Sequence, residues 1–133
     1  MVPVLVDSNV ILDLVKQDAE WLGWSRAALE QHADGGLLAN AMIYAELCTG
    51  ADSSSDVDNL LEGMAIEVAA IPRQALFLAS KAHLAYRRLG GTRTTGLPDF
   101  FIGAHAEVLG IPLLTRYQGR YKTYFPHVAL ICP

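Results

Sequence analysis

The sequence predicts a three-layer α/β/α sandwich around a central parallel sheet of about five strands, and three observations carry that expectation. Short runs of β-branched or leucine-rich residues recur along the chain. Each is followed by a stretch with apolar residues at helical spacing, and Asp, Asn, Ser, Pro or Gly marks the joints between them. Strands that alternate with helices pair in parallel through crossover connections. The chain has 133 residues, 52% of them apolar, which is material for one core, so residues 1–133 are read as a single domain.

Val4-Leu5-Val6 reads as the first strand, ending at Asp7, and Val10, Ile11, Leu14 and Val15 then repeat at helical spacing. A second helix fits residues 20–33, closed by a turn from His32 to Gly36. Leu37-Leu38-Ala39 is the next strand, followed by a helix over 41–49. Ser53-Ser54-Ser55-Asp56 offers N-cap side chains for a helix over Val57 to Met64. Residues 66–71 form a third strand candidate, and Pro72 can open a long helix to Leu89 that stops at Gly90-Gly91. The polar, glycine-rich stretch 90–96 is expected to be a mobile loop. Pro98 precedes a helix over 99–109, Gly110 ends it, and residues 111–115 and 128–131 supply the last two strands.

Several function classes are disfavoured. No apolar run approaches the roughly 20 residues of a membrane helix. The first seven residues lack the basic region and cleavage site of a signal peptide and include an acid, so a cytoplasmic location without membrane association is expected. Two cysteines, Cys48 and Cys132, have no zinc-type spacing and are expected to be buried free thiols. His105, His127 and the other histidines lack partners at metal-ligand spacing. The net charge of −4 hides a strong asymmetry: residues 1–67 carry twelve acids and two bases, residues 68–133 two acids and eight bases. A basic surface is therefore compatible with the acidic total, although Arg73, Lys81, Arg87 and Arg88 could equally solvate one helix face.

Ligands of parallel α/β sheets sit beyond the carboxyl ends of the strands, and three acids fall there: Asp7 after the first strand, Glu46 in the helix after the second, and Asp99 at the start of the helix before the fourth. Glu46 stands out because Ala41-Met42-Ile43-Tyr44-Ala45-Glu46-Leu47-Cys48 places a carboxylate in a nearly continuous apolar helix, where a lone charge is costly. Two unit charges 4 Å apart repel by roughly 4 kcal/mol at an effective dielectric of about 20, and a divalent cation removes that conflict. Oxygen donors favour Mg²⁺ or Mn²⁺, which can polarise a phosphoryl oxygen and activate water for phosphodiester hydrolysis. The alternatives are that Asp7 and Asp99 are helix N-caps and that an Arg neutralises Glu46.

The ordered segments Val4-Leu5-Val6-Asp7-Ser8-Asn9-Val10, Tyr44-Ala45-Glu46-Leu47, Leu97-Pro98-Asp99-Phe100-Phe101-Ile102-Gly103-Ala104-His105-Ala106, Ile111-Pro112-Leu113-Leu114-Thr115-Arg116 and Tyr124-Phe125-Pro126 together resemble the PIN-domain ribonucleases, and among them the VapC-type toxins of toxin-antitoxin pairs. The resemblance spans nearly the whole chain. It implies a PIN-like fold, Mg²⁺- or Mn²⁺-dependent endonucleolytic cleavage of RNA and a homodimer. It also implies a cognate VapB-like antitoxin that blocks the site, with scope for a larger toxin-antitoxin assembly. Asp7, Glu46 and Asp99 match the family's first three acidic positions, and Asn9 and Thr115 match polar positions beside the metal site. The chain departs from the family at the fourth acid: Thr115-Arg116 is followed by Tyr117, whose phenol, with a pKa near 10, cannot replace a carboxylate as a metal ligand at neutral pH.

Tyr117 motivates a competing expectation, a PIN-like protein that binds RNA or antitoxin but cuts poorly. A phosphatase using an aspartyl-phosphate at Asp7 is disfavoured because Asn9 stands where a second acid would be wanted. For RNA phosphates the candidates are Arg116, Arg120 and Lys122, just past the fourth strand, with exposed charges on a short helix as the alternative. Trp21, Trp24, Met42 and Leu60 could serve a dimer or antitoxin surface, or the core.

Overall fold

The computed structural model describes residues 2–93 and 95–133; Met1 and Thr94, the latter inside the loop expected at 90–96, lie outside the described residues. Five strands, β1 (Val4–Val6), β2 (Leu37–Ala39), β3 (Ile66–Val68), β4 (Leu113–Leu114) and β5 (Leu130–Ile131), form one sheet in the order β3-β2-β1-β4-β5. Every pairing is parallel: Val4 aligns with Leu37, Leu5 with Leu113, and Leu113 with Leu130. Among the described residues, seven α-helices flank it: α1 (Ser8–Val15), α2 (Leu22–His32), α3 (Ala41–Cys48), α4 (Ser54–Gly63), α5 (Arg73–Arg88), α6 (Leu97–Leu109) and α7 (Gly119–Tyr124). The expected layered α/β fold is therefore present.

Central strand β1 is buried along its whole length, as a parallel strand covered on both faces must be. Its neighbours Leu113 and Leu114 are equally inaccessible. Helix α5 packs along α6, α6 also meets α3 and α7, and α1 packs against α2 and α3. Gly103 lets α6 approach Phe125, since a Cβ there would collide with the phenyl ring. Among the described residues, no helix is long and apolar enough to cross a membrane.

Element boundaries differ from expectation for local reasons. The third strand stops at Val68 rather than residue 71: the Ala69 N–H still reaches Ala39 O at 2.8 Å, but β2 then gives way to Asn40, which turns the chain into α3. Helix α4 starts three residues early because Ser53 itself is the cap, accepting the Asp56 N–H at 3.2 Å. Helix α6 includes Leu97 and Pro98, since proline is tolerated in a first turn whose N–H groups have no helical partner. Cys48 and Cys132 are free but half-buried, not fully buried as expected.

Candidate active site

The strand order reverses between β1 and β4, and at the carboxyl ends of these two strands lies a surface pocket of about 250 Å³ lined by Asp7, Ser8, Asn9, Glu46, Asp99, Tyr117 and Arg120. The three acids singled out in the sequence thus share one pocket, although they come from different elements.

Asp7 stands between β1 and α1 as the helix N-cap, its Oδ1 accepting the Ser8 N–H at 2.8 Å. The N-cap alternative holds for its position, but capping uses only one oxygen. Oδ2 accepts from the Thr115 hydroxyl at 2.9 Å and the Tyr121 phenol at 2.8 Å, with the Asn9 amide at 3.4 Å. Asn9 in turn donates to Thr115 Oγ1 at 3.1 Å and accepts the Arg116 N–H at 3.0 Å, so the end of β4 is tied to the first turn of α1. Burial pushes the Asp7 carboxyl up, and the Tyr121, Thr115 and Ser8 hydrogen bonds oppose that rise.

Glu46 is half-buried on α3 and has no ion-pair partner among the described residues; its Oε1 accepts the Ser8 hydroxyl at 3.0 Å. Burial raises its pKa, and the charges of Asp7 and Asp99 raise it further. Its helix is held by Asn40, whose Oδ1 accepts the N–H groups of Met42 and Ile43, both at 3.0 Å. With that oxygen committed, Asn40 Nδ2 donates to His105 Nδ1 on α6 at 3.0 Å. His105 is fully buried, a packed residue that joins the helices bearing Glu46 and Asp99.

Asp99 lies in the first turn of α6, two residues inside the helix rather than at its N-cap, which is Gly96. Oδ2 pairs with Arg120 Nη1 at 3.1 Å and Oδ1 lies 3.4 Å from the Tyr121 hydroxyl. Burial and the Asp7 charge raise its pKa, while Arg120 holds it down. All three carboxyls are thus destabilised as anions. Among the described residues, no group of three His, Cys, Asp or Glu side chains stands close enough to hold a metal ion as arranged.

Tyr117, where the resemblance led to the expectation of a fourth acid, points its phenol at Arg120, accepting from the backbone N–H at 3.1 Å and from Nη1 at 3.2 Å. The basic candidates separate. Arg120 faces the pocket and Lys122 is exposed on α7, whereas Arg116 forms a two-point ion pair with buried Asp13, at 2.7 and 2.9 Å, and lies over the Trp21 ring. Trp24, Met42 and Leu60 are half-buried against the core.

Sequence reasoning missed Ser8 and Tyr121 as site residues. Ser8 carried the weak signal of directly following Asp7. Tyr121 carried only its spacing of four from Tyr117, which it meets edge-on at 5.7 Å. Burial and the nearby Asp7 and Asp99 charges raise the Tyr121 pKa far above the ordinary phenol value, so it is a neutral hydrogen-bond donor.

The PIN domain family matches residues 4–123 of the chain. Among solved structures, the chain resembles VapBC2 from Rickettsia felis bound to a promoter DNA fragment, with TM-score 0.72, 15% identity and 98% of each chain covered. It resembles DNA-bound VapBC from Salmonella typhimurium with TM-score 0.72, 18% identity and coverage of 99% and 98%. For FitAcB from Neisseria gonorrhoeae the TM-score is 0.68 at 18% identity over 96% of both chains. At these identities the likeness is one of fold. No curated protein sequence matches the chain.

Proposed function

The chain belongs to the PIN domain family, and from that premise we propose that it is an Mg²⁺- or Mn²⁺-dependent endoribonuclease acting as the toxin of a toxin-antitoxin pair. The carrying observation is that Asp7, Glu46 and Asp99 line one pocket at the sheet's reversal point and each has a raised pKa. The pocket fits a divalent cation in kind: its donors are hard oxygens, and it has three acids against a single lining base, Arg120. Such an ion, held by Asp7, Glu46 and Asp99, would polarise a phosphodiester oxygen and lower the pKa of a bound water.

The protein's own groups prepare that site. Thr115 and Tyr121 donate to Asp7 and favour its ionised form, Ser8 orients Glu46, and Asn9 fixes Thr115. Lys122, exposed on α7, is the side chain we assign first to RNA phosphates; ion pairs commit Arg116 to Asp13 and Arg120 to Asp99, which leaves both less available for that contact. A VapB-like antitoxin is the protein partner. Support comes from structural neighbours that are VapBC and toxin-antitoxin complexes, and from an apolar groove of about 400 Å³ lined by Leu12, Val15, Leu47, Val57 and Leu60. A homodimer is part of the same reading, and exposed Leu76 and Phe77 on α5 offer apolar surface for it.

A second reading, a PIN-like protein that binds RNA or antitoxin but cuts weakly, is favoured by Tyr117 and by the Arg120–Asp99 pair. Incubation of RNA with the protein in Mg²⁺, Mn²⁺ or chelator, beside Asp7→Asn, separates the two. Metal-dependent product above the variant supports the nuclease; equal product from both supports the binder.

A further inference from the structure

Arg120 is held in the acidic pocket by contacts from four parts of the chain. Its Nη1 donates to Asp99 Oδ2 at 3.1 Å and to the Tyr117 phenol at 3.2 Å. The guanidinium carbon lies 5.4 Å from the centre of the Tyr86 ring on α5. Gly96 closes over the same group: it has φ +69, and a Cβ built on it would stand 2.5 Å from the guanidinium carbon. Tyr117 is braced in turn by the Arg120 backbone N–H and by Tyr121.

We propose that Arg120 is a tethered counter-ion that competes with a divalent cation for Asp99, and that Tyr117 is the positioning residue that keeps it there. The inference rests on the metal reading given under Proposed function. An Asp99 oxygen that accepts a guanidinium N–H cannot at the same time offer that lone pair to a metal. A planar guanidinium is always charged and matches a carboxylate, whereas a phenol at position 117 adds an acceptor for the guanidinium without adding a strong ligand for the ion. The Arg120 and Asp99 side chains are 25% and 21% exposed, so the pair sits at the pocket mouth, where exchange for another cation does not strand a buried charge. Tyr117 thereby acts twice: it removes the family's fourth acid and stabilises a cation opposite the third.

The test is a calorimetric titration of Mn²⁺ into the full, metal-free chain, with the Mn²⁺-induced rise in Tm as a second readout. Wild type is compared with Arg120→Gln, Tyr117→Phe and, as a charge-matched control, Arg88→Gln at the exposed end of α5. Arg120→Gln is expected to bind Mn²⁺ about two- to fivefold tighter, the size expected for loss of a partly exposed ion pair. Tyr117→Phe should tighten binding by a smaller factor, and Arg88→Gln should stay within about twofold of wild type. The rise in Tm should follow the same order. Wild-type binding that Arg120→Gln leaves unchanged, weakens, or improves no more than Arg88→Gln does overturns the competition alone. Absence of Mn²⁺ binding in every variant overturns the metal reading and this inference with it. If Arg120→Gln does not fold, an unchanged affinity in Tyr117→Phe overturns the proposal.

Discussion

Replacing Tyr121 by Phe isolates one hydroxyl at the centre of the site. The ring is fully buried and phenylalanine fills the same space, so the substitution removes the 2.8 Å hydrogen bond to Asp7 Oδ2 and little else. A hydrogen bond to a charged group contributes about 1.5–3 kcal/mol, and both partners here are out of water, which places the loss within that range at neutral pH. For a chain of this size that corresponds to a fall in Tm of about 5–10 °C. The loss also has a sign in pH. The phenol donates to the ionised carboxylate, so without it the Asp7 carboxyl, already raised by burial, moves up further. The stability deficit should therefore shrink as pH falls and Asp7 protonates, and the acid limb of any RNA cleavage profile should move to higher pH. Urea denaturation at several pH values and a carboxyl NMR titration measure both effects. A deficit under about 0.5 kcal/mol at neutral pH, with an unmoved Asp7 titration, would refute this account of how Asp7 is kept ionisable.

Three further outcomes are expected. Glu46→Gln should stabilise the metal-free protein at neutral pH by a few tenths to about 1 kcal/mol, a modest figure because Glu46 is half-exposed. The folded state holds that proton more tightly than the unfolded chain does. The Glu46 penalty is therefore absent below about pH 4.3 and grows as pH rises through the folded pKa, so thermal melts across pH should show a shallower decline in the variant. Arg116→Ala should cost about 3 kcal/mol in urea denaturation, because among the described residues the buried Asp13 carboxylate would keep only the Ser25 hydroxyl, at 2.6 Å, as a side-chain partner; a change below about 1 kcal/mol would make the pair a surface contact. Asn40→Ala should destabilise by about 2–4 kcal/mol, combining loss of the α3 cap with loss of the one side-chain hydrogen-bond partner that buried His105 has among the described residues, and differential scanning calorimetry should record a correspondingly lower Tm.

The sequence alone determined what depends on local pattern. Residue periodicity marked five strands and the main helices in their order, because a strand or a helix declares itself within a few residues through the spacing of its buried face. Asp7 and Glu46 were legible for related reasons. Asp7 ends a β-branched run, and Glu46 interrupts an apolar helix where a charge needs a purpose. The tertiary structure decided which strands are neighbours and therefore which distant side chains meet. Tyr121 reaches Asp7 across 114 positions and Asn40 reaches His105 across 65, and no periodicity encodes either contact. The three basic residues past β4 look alike in sequence, yet Arg116 turns to Asp13, Arg120 to Asp99, and Lys122 stays exposed. Which carboxylate each of these basic side chains reaches depends on elements brought together from distant parts of the chain, and that is a property of the assembled fold.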